Sequence, residues 1–378
     1  MDDAMLNTAP PVDRAGGERF DPRRVLTVVE AAHGRTDTVD WDHAPVRHHV
    51  DNMTTHALDR VQGRFADGSQ WSLIAKTLHP ASESPYFEII PEEHHADTLA
   101  ALNWRDEPTV YRCGLAARLP GVLRMPIVHA IDESPTRITI WMEDVADSTA
   151  WDIARYRRTA EALGRLTGAW TAAQARAQFA LGHREIGDLF FGKVVNFDLQ
   201  VQADDAFWSQ PHVAEAVDAH HRRDLFELAA HIPAMLARLE DVPRGVCHGD
   251  ACPGNFIEPA DGSVVALDWA FGNIDAHASD LGQLLAGRYE SGAAEVADLE
   301  AISRAIFEGY RSGLDAEGVA VEPSVLERSW ATHLAIRSVF SAMMIDHLPG
   351  VDDDQRFELA KRRAALGRFG LDLALQHV

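Results

Sequence analysis

The spacing of the apolar residues changes character near residue 151, and a chain with that change cannot be a single-class fold. Upstream, "LDRVQGRFA" (58–66) and "QWSLIAKTL" (70–78) flank the turn "DGS", and Asp-Gly between two such runs predicts a β-hairpin. A helical pattern around 97–119 and a strand at 137–142, "RITIWM", complete a small strand-rich region. Downstream, "RYRRTAEALGRLTGAWTAAQARAQ", "DLFELAAHIPAMLARLE" and most of 293–378 place apolar residues at helical spacing. One hairpin interrupts these helices: "NFIE", the loop "PADG", then "SVVALDWA". The expected fold class is α+β, with a small antiparallel-sheet lobe followed by a larger, mainly helical lobe. At 378 residues each lobe can bury its own core. The expected boundaries are a flexible extension over 1–35, the first lobe over 36–143 and the second over 144–378.

Composition narrows the partners. A formal net charge of −23 argues against a nucleic-acid ligand, whose phosphates would be repelled, and favours neutral or cationic small molecules. No apolar run has the length of a membrane span, and the acidic N-terminus lacks the core of a secretory signal. The three cysteines, Cys113, Cys247 and Cys252, have no zinc spacing and fit a reducing cytoplasm. Among the basic residues only Lys76, Lys193 and Lys361 are lysines. Against that arginine preference, Lys76 in the middle of an apolar strand, on the face of Ile74 and Leu78, asks for a reason.

"VCHGDACPGNF" (246–256) poses a second question. With a hairpin loop at 259–262, Glu258 faces Ser263 and Asn255 faces Ala266, so Asp268 lies diagonally across from Asn255 on one face. Two oxygen ligands at that separation suit magnesium, which takes its remaining ligands from water and phosphate. Asp250, on the loop before the hairpin, is placed to act as a base.

"HGDACPGN" resembles the His-x-Asp-x4-Asn loop of aminoglycoside phosphotransferases and choline-kinase-like small-molecule kinases, with His248, Asp250 and Asn255 at its defined positions. "ALDWAFGNIDAHASDLGQLL" is similar to the segment that follows in that family and supplies Asp268 and Asp280. The resemblance implies a two-lobed protein-kinase-like fold and an enzyme using ATP and Mg2+ to phosphorylate a small-molecule hydroxyl, acting as a monomer or homodimer. By analogy with protein-kinase loops, Asp250 is the base and Asn255 and Asp268 the metal ligands. His248 and Asp280 support the loop.

The resemblance also gives Lys76 its reason, as the strand lysine on the nucleotide's α- and β-phosphates. Its expected partner is Glu107, with Glu92 and Glu93 as alternatives. Pro108 follows Glu107, which a helix tolerates only in its first turn. Backbone groups near Glu143 and Val145 are expected to pair with adenine. The chain departs from the pattern in having no glycine-rich phosphate loop; Thr54 and Thr55 stand in its place as hydroxyl donors. The acceptor site is expected in "HREIGDLFFGKVVNFD" and "SAMMIDHLPGVDDDQ", with Asp188, Asp198 and Asp346 as candidates for an amine-bearing acceptor such as an aminoglycoside or amino sugar. A neutral sugar or alcohol, a nucleotide-binding sensor without activity and a metal-dependent hydrolase are the competing expectations. "EEHHAD" and "RHHV" lack metal-ligand spacing, and Cys247 and Cys252 are read as packing residues.

Overall fold

The computed structural model describes residues 19–46, 52–182, 184–345 and 352–378. The chain forms two compact units, Met1–Tyr111 with Met125–Ala146, and Arg112–Arg124 with Asp147–Val378.

The first unit is built on an antiparallel five-stranded sheet. Its strands are β1 (Thr38–Pro45), β2 (Thr55–Phe65), β3 (Gln70–Leu78), β5 (Val128–Glu133) and β6 (Ile138–Glu143), in the order β1-β2-β3-β6-β5. The β2–β3 hairpin closes where Asp-Gly predicts it, with Arg64 opposite Gln70 and Asp67 accepting from the Ser69 N–H. Residues 22–33, expected in a flexible extension, instead form α1 (Pro22–His33). Val25, Val28 and Val29, at helical spacing, join Trp71, Leu73, Ala75 and Trp141 in a core on one face of the sheet. Leu78, Ile138, Ile140 and Met142, with Trp104 and Tyr111, form a core on the other face. The helical pattern at 97–119 breaks into α2 (His95–Ala101) and α3 (Asp106–Arg112). Pro108 explains the break, because it can sit only near the start of a new helix.

The second unit is mainly helical. Its α4 (Ile153–Gly168) is capped by Asp152, whose carboxylate accepts from the Arg155 N–H at 2.7 Å. It packs on the helix Leu299–Ala316 through glycines: a Cβ on Gly164 would stand 2.1 Å from the Tyr310 carbonyl oxygen, and one on Gly313 2.2 Å from that of Glu161. Only a hydrogen fits at either place. The strands here exceed the single expected hairpin. β7 (Arg244–Cys247) pairs antiparallel with β10 (Asn273–Ala276), and β8 (Phe256–Ile257) with β9 (Val264–Ala266). β4 (Leu123–Arg124) joins β9 in parallel, which draws Arg112–Arg124 into this unit and away from the expected first lobe. No helix among the described residues is long and apolar enough to cross a membrane.

Candidate active site

In the first unit the β3 register sets Lys76 between Leu58 and Ile140. Its ammonium lies 2.7 Å from the Glu107 carboxylate, and the two side chains keep only 8% and 2% of their exposure. Glu107 is in the first turn of α3, as Pro108 demands, whereas Glu92 and Glu93 are exposed on the turn Glu92–His94. A lysine buried in an apolar sheet face is tolerable because a carboxylate meets it there.

The other expected residues of this unit fare differently. Thr54 is buried and spends its hydroxyl hydrogen on Asn52 Oδ1 at 2.7 Å, which removes it as a phosphate donor. Thr55 opens β2, its N–H on the Asn52 carbonyl at 3.2 Å. The Glu143 N–H donates to the Ile127 carbonyl at 2.8 Å and its carboxylate accepts from the Ile127 N–H at 3.1 Å. The Glu143 donor is therefore spent at the sheet edge rather than left for a base. Val145 is half-buried on an irregular segment just past β6.

In the second unit the loop between β7 and β8 is held from two sides. The His248 and Gly249 N–H groups both donate to the Asp280 carboxylate, at 2.9 Å each. Gly249 has φ +78°, and a Cβ there would lie 2.0 Å from the Phe271 carbonyl oxygen, so the tight turn requires glycine. His248 is fully buried between Phe256 and Trp269. Its Nε2 sits 2.7 Å from the Leu267 carbonyl and must donate, which leaves Nδ1 to accept the Asp250 N–H at 3.3 Å. His248 is thus a scaffold residue, and Asp280 an anchor. Burial raises the Asp280 carboxyl above the usual range, and the His248 and Gly249 N–H donors pull it the other way without overcoming that.

Both Asp250 oxygens are engaged. Oδ2 accepts from Asn255 Nδ2 at 3.0 Å, and Oδ1 from Gln283 Nε2 at 2.8 Å. Asn255 Nδ2 also donates to the Asp250 carbonyl at 2.9 Å, so both amide hydrogens are spent on one residue and the amide oxygen faces away from them. Gln283 escaped the sequence reading, although it lies three residues after Asp280, on the helix Leu281–Glu290.

The hairpin that carries Asp268 pairs differently from the expectation. Phe256 pairs with Ala266 and Ile257 with Val265, one residue out of the expected register, so Asn255 stands opposite Leu267. Strict alternation would then separate Asn255 from Asp268. The backbone instead turns left-handed at Asp268, with φ 51° and ψ 68°. That conformation costs a non-glycine residue roughly 1–2 kcal/mol and is retained where geometry matters. Asp250 and Asp268 both act on the Cys252 thiol: burial first, then these two carboxylates, push it well above its usual range. Cys247 is raised likewise by burial and then Asp280, so neither cysteine is an activated nucleophile.

A divalent cation can be tested against this donor set. Among the described residues no three His, Cys, Asp or Glu side chains are grouped to hold a metal. One amide oxygen and one carboxylate, Asn255 and Asp268, are hard donors that suit magnesium and do not suit zinc.

Beside the loop, Arg155 is fully buried and joins separate segments. Its guanidinium donates to the Thr149 carbonyl at 2.5 Å, to Asp147 at 2.9 Å and to the Phe256 carbonyl at 2.8 Å. Arg158 adds a two-pronged contact to Glu258 at 2.9 and 2.8 Å. The acceptor candidates divide. Asp188 is exposed, Asp198 is buried and paired with Lys193 at 2.6 Å, and Asp346 lies outside the described residues.

The model of the phosphotransferase enzyme family, APH, matches residues 110–314, just over half of the chain. No curated protein matches the sequence. Among solved structures, an aminoglycoside phosphotransferase from Alicyclobacillus acidocaldarius superposes with a TM-score of 0.53 at 14% identity, over 88% of this chain and 93% of that one. An amicoumacin kinase solved with AMP-PNP, Ca2+ and Ami gives 0.51 at 14% identity, covering 93% and 94%. A spectinomycin phosphotransferase solved with ADP and spectinomycin gives 0.51 at 11% identity, covering 94% and 100%. At these identities the likeness is one of fold, and it is the two-lobed kinase-like fold expected from the sequence.

Proposed function

Given that this chain belongs to the phosphotransferase enzyme family and is a small-molecule phosphotransferase, we propose that it moves the γ-phosphate of ATP to a hydroxyl of an amine-bearing metabolite. The observation that carries this reading is the Asn255–Asp250 hydrogen bond. It holds one oxygen, Oδ2, of the proposed base and commits the amide hydrogens, so that the amide oxygen can serve a cation. Lys76, set by Glu107, would hold the α- and β-phosphates. Asp250 would orient the acceptor hydroxyl and take its proton as the oxygen bonds to the γ-phosphorus and the bond to the bridging oxygen of ADP breaks. Magnesium, held by Asn255 and Asp268, would offset the phosphate charge.

The acceptor class rests on charge. The chain carries a net −23, and Asp188 is exposed close in sequence to the exposed Phe191 and Phe197. A carboxylate with aromatic neighbours suits an ammonium-bearing acceptor. Asp198, already paired with Lys193, supports this less than its position in the sequence suggests. The test is an ATP-consumption screen over aminoglycosides, amino sugars, choline-like alcohols and neutral sugars, with product mass reporting one added phosphoryl group. Turnover of neutral compounds alone would replace the acceptor class and leave the kinase reading intact. No turnover with any compound, alongside stabilisation by ATP, would favour a nucleotide-binding sensor.

A further inference from the structure

We propose that Gln283 is a positioning residue for Asp250: by donating to Oδ1 it sets the plane of the carboxylate and directs the base toward the acceptor hydroxyl. The inference rests on the reading of Asp250 as the base. Its ground is that the carboxylate has two handles of different origin. Asn255, on the same loop, holds Oδ2 at 3.0 Å, and a single local contact leaves the group able to swing about that oxygen. Gln283 holds Oδ1 at 2.8 Å from a separate helix, Leu281–Glu290, and removes that freedom.

The helix is well placed to serve as the reference. Its cap residue Asp280 accepts the His248 and Gly249 N–H groups, fixing the loop backbone immediately before Asp250. One element thus sets the main chain through Asp280 and the reacting side chain through Gln283, three residues later on the same helix. The helix is itself fixed. Leu281, Leu284 and Leu285 are fully buried, and a Cβ on Gly282 would already press on the Leu334 backbone at 3.0 Å. A carboxylate held in plane presents a defined lone pair to the hydroxyl, and small errors of orientation cost rate rather than affinity.

The experiment uses the full chain and follows ADP release from MgATP, with the screen compound turned over fastest as acceptor, or water where none is. Gln283→Met keeps the length and removes the donor. Its kcat should fall about ten-fold, as for loss of a hydrogen bond to a charged group. The KM for ATP and the Tm should be unchanged. Gln283→Glu keeps the shape but sets a second carboxylate against the first, and should lose more. In an Asp250→Asn background, adding Gln283→Met should leave the residual rate where it was, because the glutamine acts through the aspartate. A slow Asp250→Asn enzyme combined with a full-rate Gln283→Met enzyme would overturn the proposal while sparing the base. A Gln283→Met loss carried undiminished into the Asp250→Asn background would overturn it too, by showing a role independent of Asp250. An Asp250→Asn enzyme at full rate would instead remove the base reading itself.

Discussion

Lys76 and Glu107 meet at 2.7 Å where the sheet and the first turn of α3 exclude almost all solvent. Burying either charge without this ion pair is costly, and breaking such a pair typically costs about 3–5 kcal/mol. Glu107→Ala should therefore lower the Tm and raise the KM for ATP together. The double variant Lys76→Met/Glu107→Met should recover stability without recovering turnover. Thermal denaturation read beside ATP kinetics separates the two effects, and a double variant that regains activity would deny Lys76 its phosphate.

Asp250→Asn should slow transfer by roughly 10²–10⁴-fold, the usual contribution of a general base, with ATP affinity retained. Rapid-quench turnover and an equilibrium ATP titration on the same preparation provide the check. A parallel fall in affinity would mean that the residue holds the nucleotide.

Asp268→Ala should abolish the extra thermal stabilisation that magnesium adds to ATP binding, and activity with it. Its left-handed backbone also suits alanine poorly, so the ATP-free Tm should drop by the equivalent of about 1 kcal/mol. Asp268→Asn keeps the backbone preference and isolates the effect on the metal. If magnesium stabilised this variant as fully as the wild type, Asp268 would not be its ligand.

His221 is buried, and that burial is the main reason its pKa falls to about 4; Arg368 lowers it further. His277, also buried, falls to about 4 from burial. The sign follows directly. Below pH 6.5 the unfolded chain takes up protons that the folded chain refuses until about pH 4, so stability is lost across that window as acid is added. The loss should be on the order of 2 kcal/mol for each histidine. Urea denaturation at steps between those pH values should show it, and His221→Gln should flatten the slope. An unchanged slope would mean that His221 is protonated in the folded state.

The division into a sheet unit and a helical unit was legible in the sequence, and much of the local geometry was not. Lys76 stood out because lysine is rare in this chain, and Asp-Gly located the β2–β3 hairpin because that dipeptide has few other uses. The helix α1 was hidden in a segment rich in Pro, Gly and acids, although Asp21-Pro22, the valines at 25, 28 and 29 and Gly34 mark its start, face and end. The register at Phe256 and Ala266 slipped by one because loop length was inferred from turn residues, and nothing local announces that Asp268 turns left-handed. Thr54 failed for a related reason, since its neighbour Asn52 captures the hydroxyl. Gln283 was silent because its partner Asp250 lies 33 residues away, and Arg155 because its contact to Phe256 spans 101; such contacts exist only once the tertiary fold is made.

The buried guanidinium of Arg155 has a bearing on how the molecule comes apart. It ties Thr149 and Asp147 to the carbonyl of Phe256, the first residue of the strand leading out of the loop. Peeling away the hairpin would cost the buried guanidinium its Phe256 acceptor, and peeling away 147–149 would cost it the Thr149 carbonyl and the Asp147 carboxylate. The hairpin, with strands of two and three residues, consequently resists the fraying that such short strands otherwise show. It opens only in an event that also releases the start of α4, so the two behave as one cooperative unit. Amide hydrogen exchange through β8 and β9 should then proceed at the slow rate of that larger opening, giving these very short strands the protection of the unit's long helices.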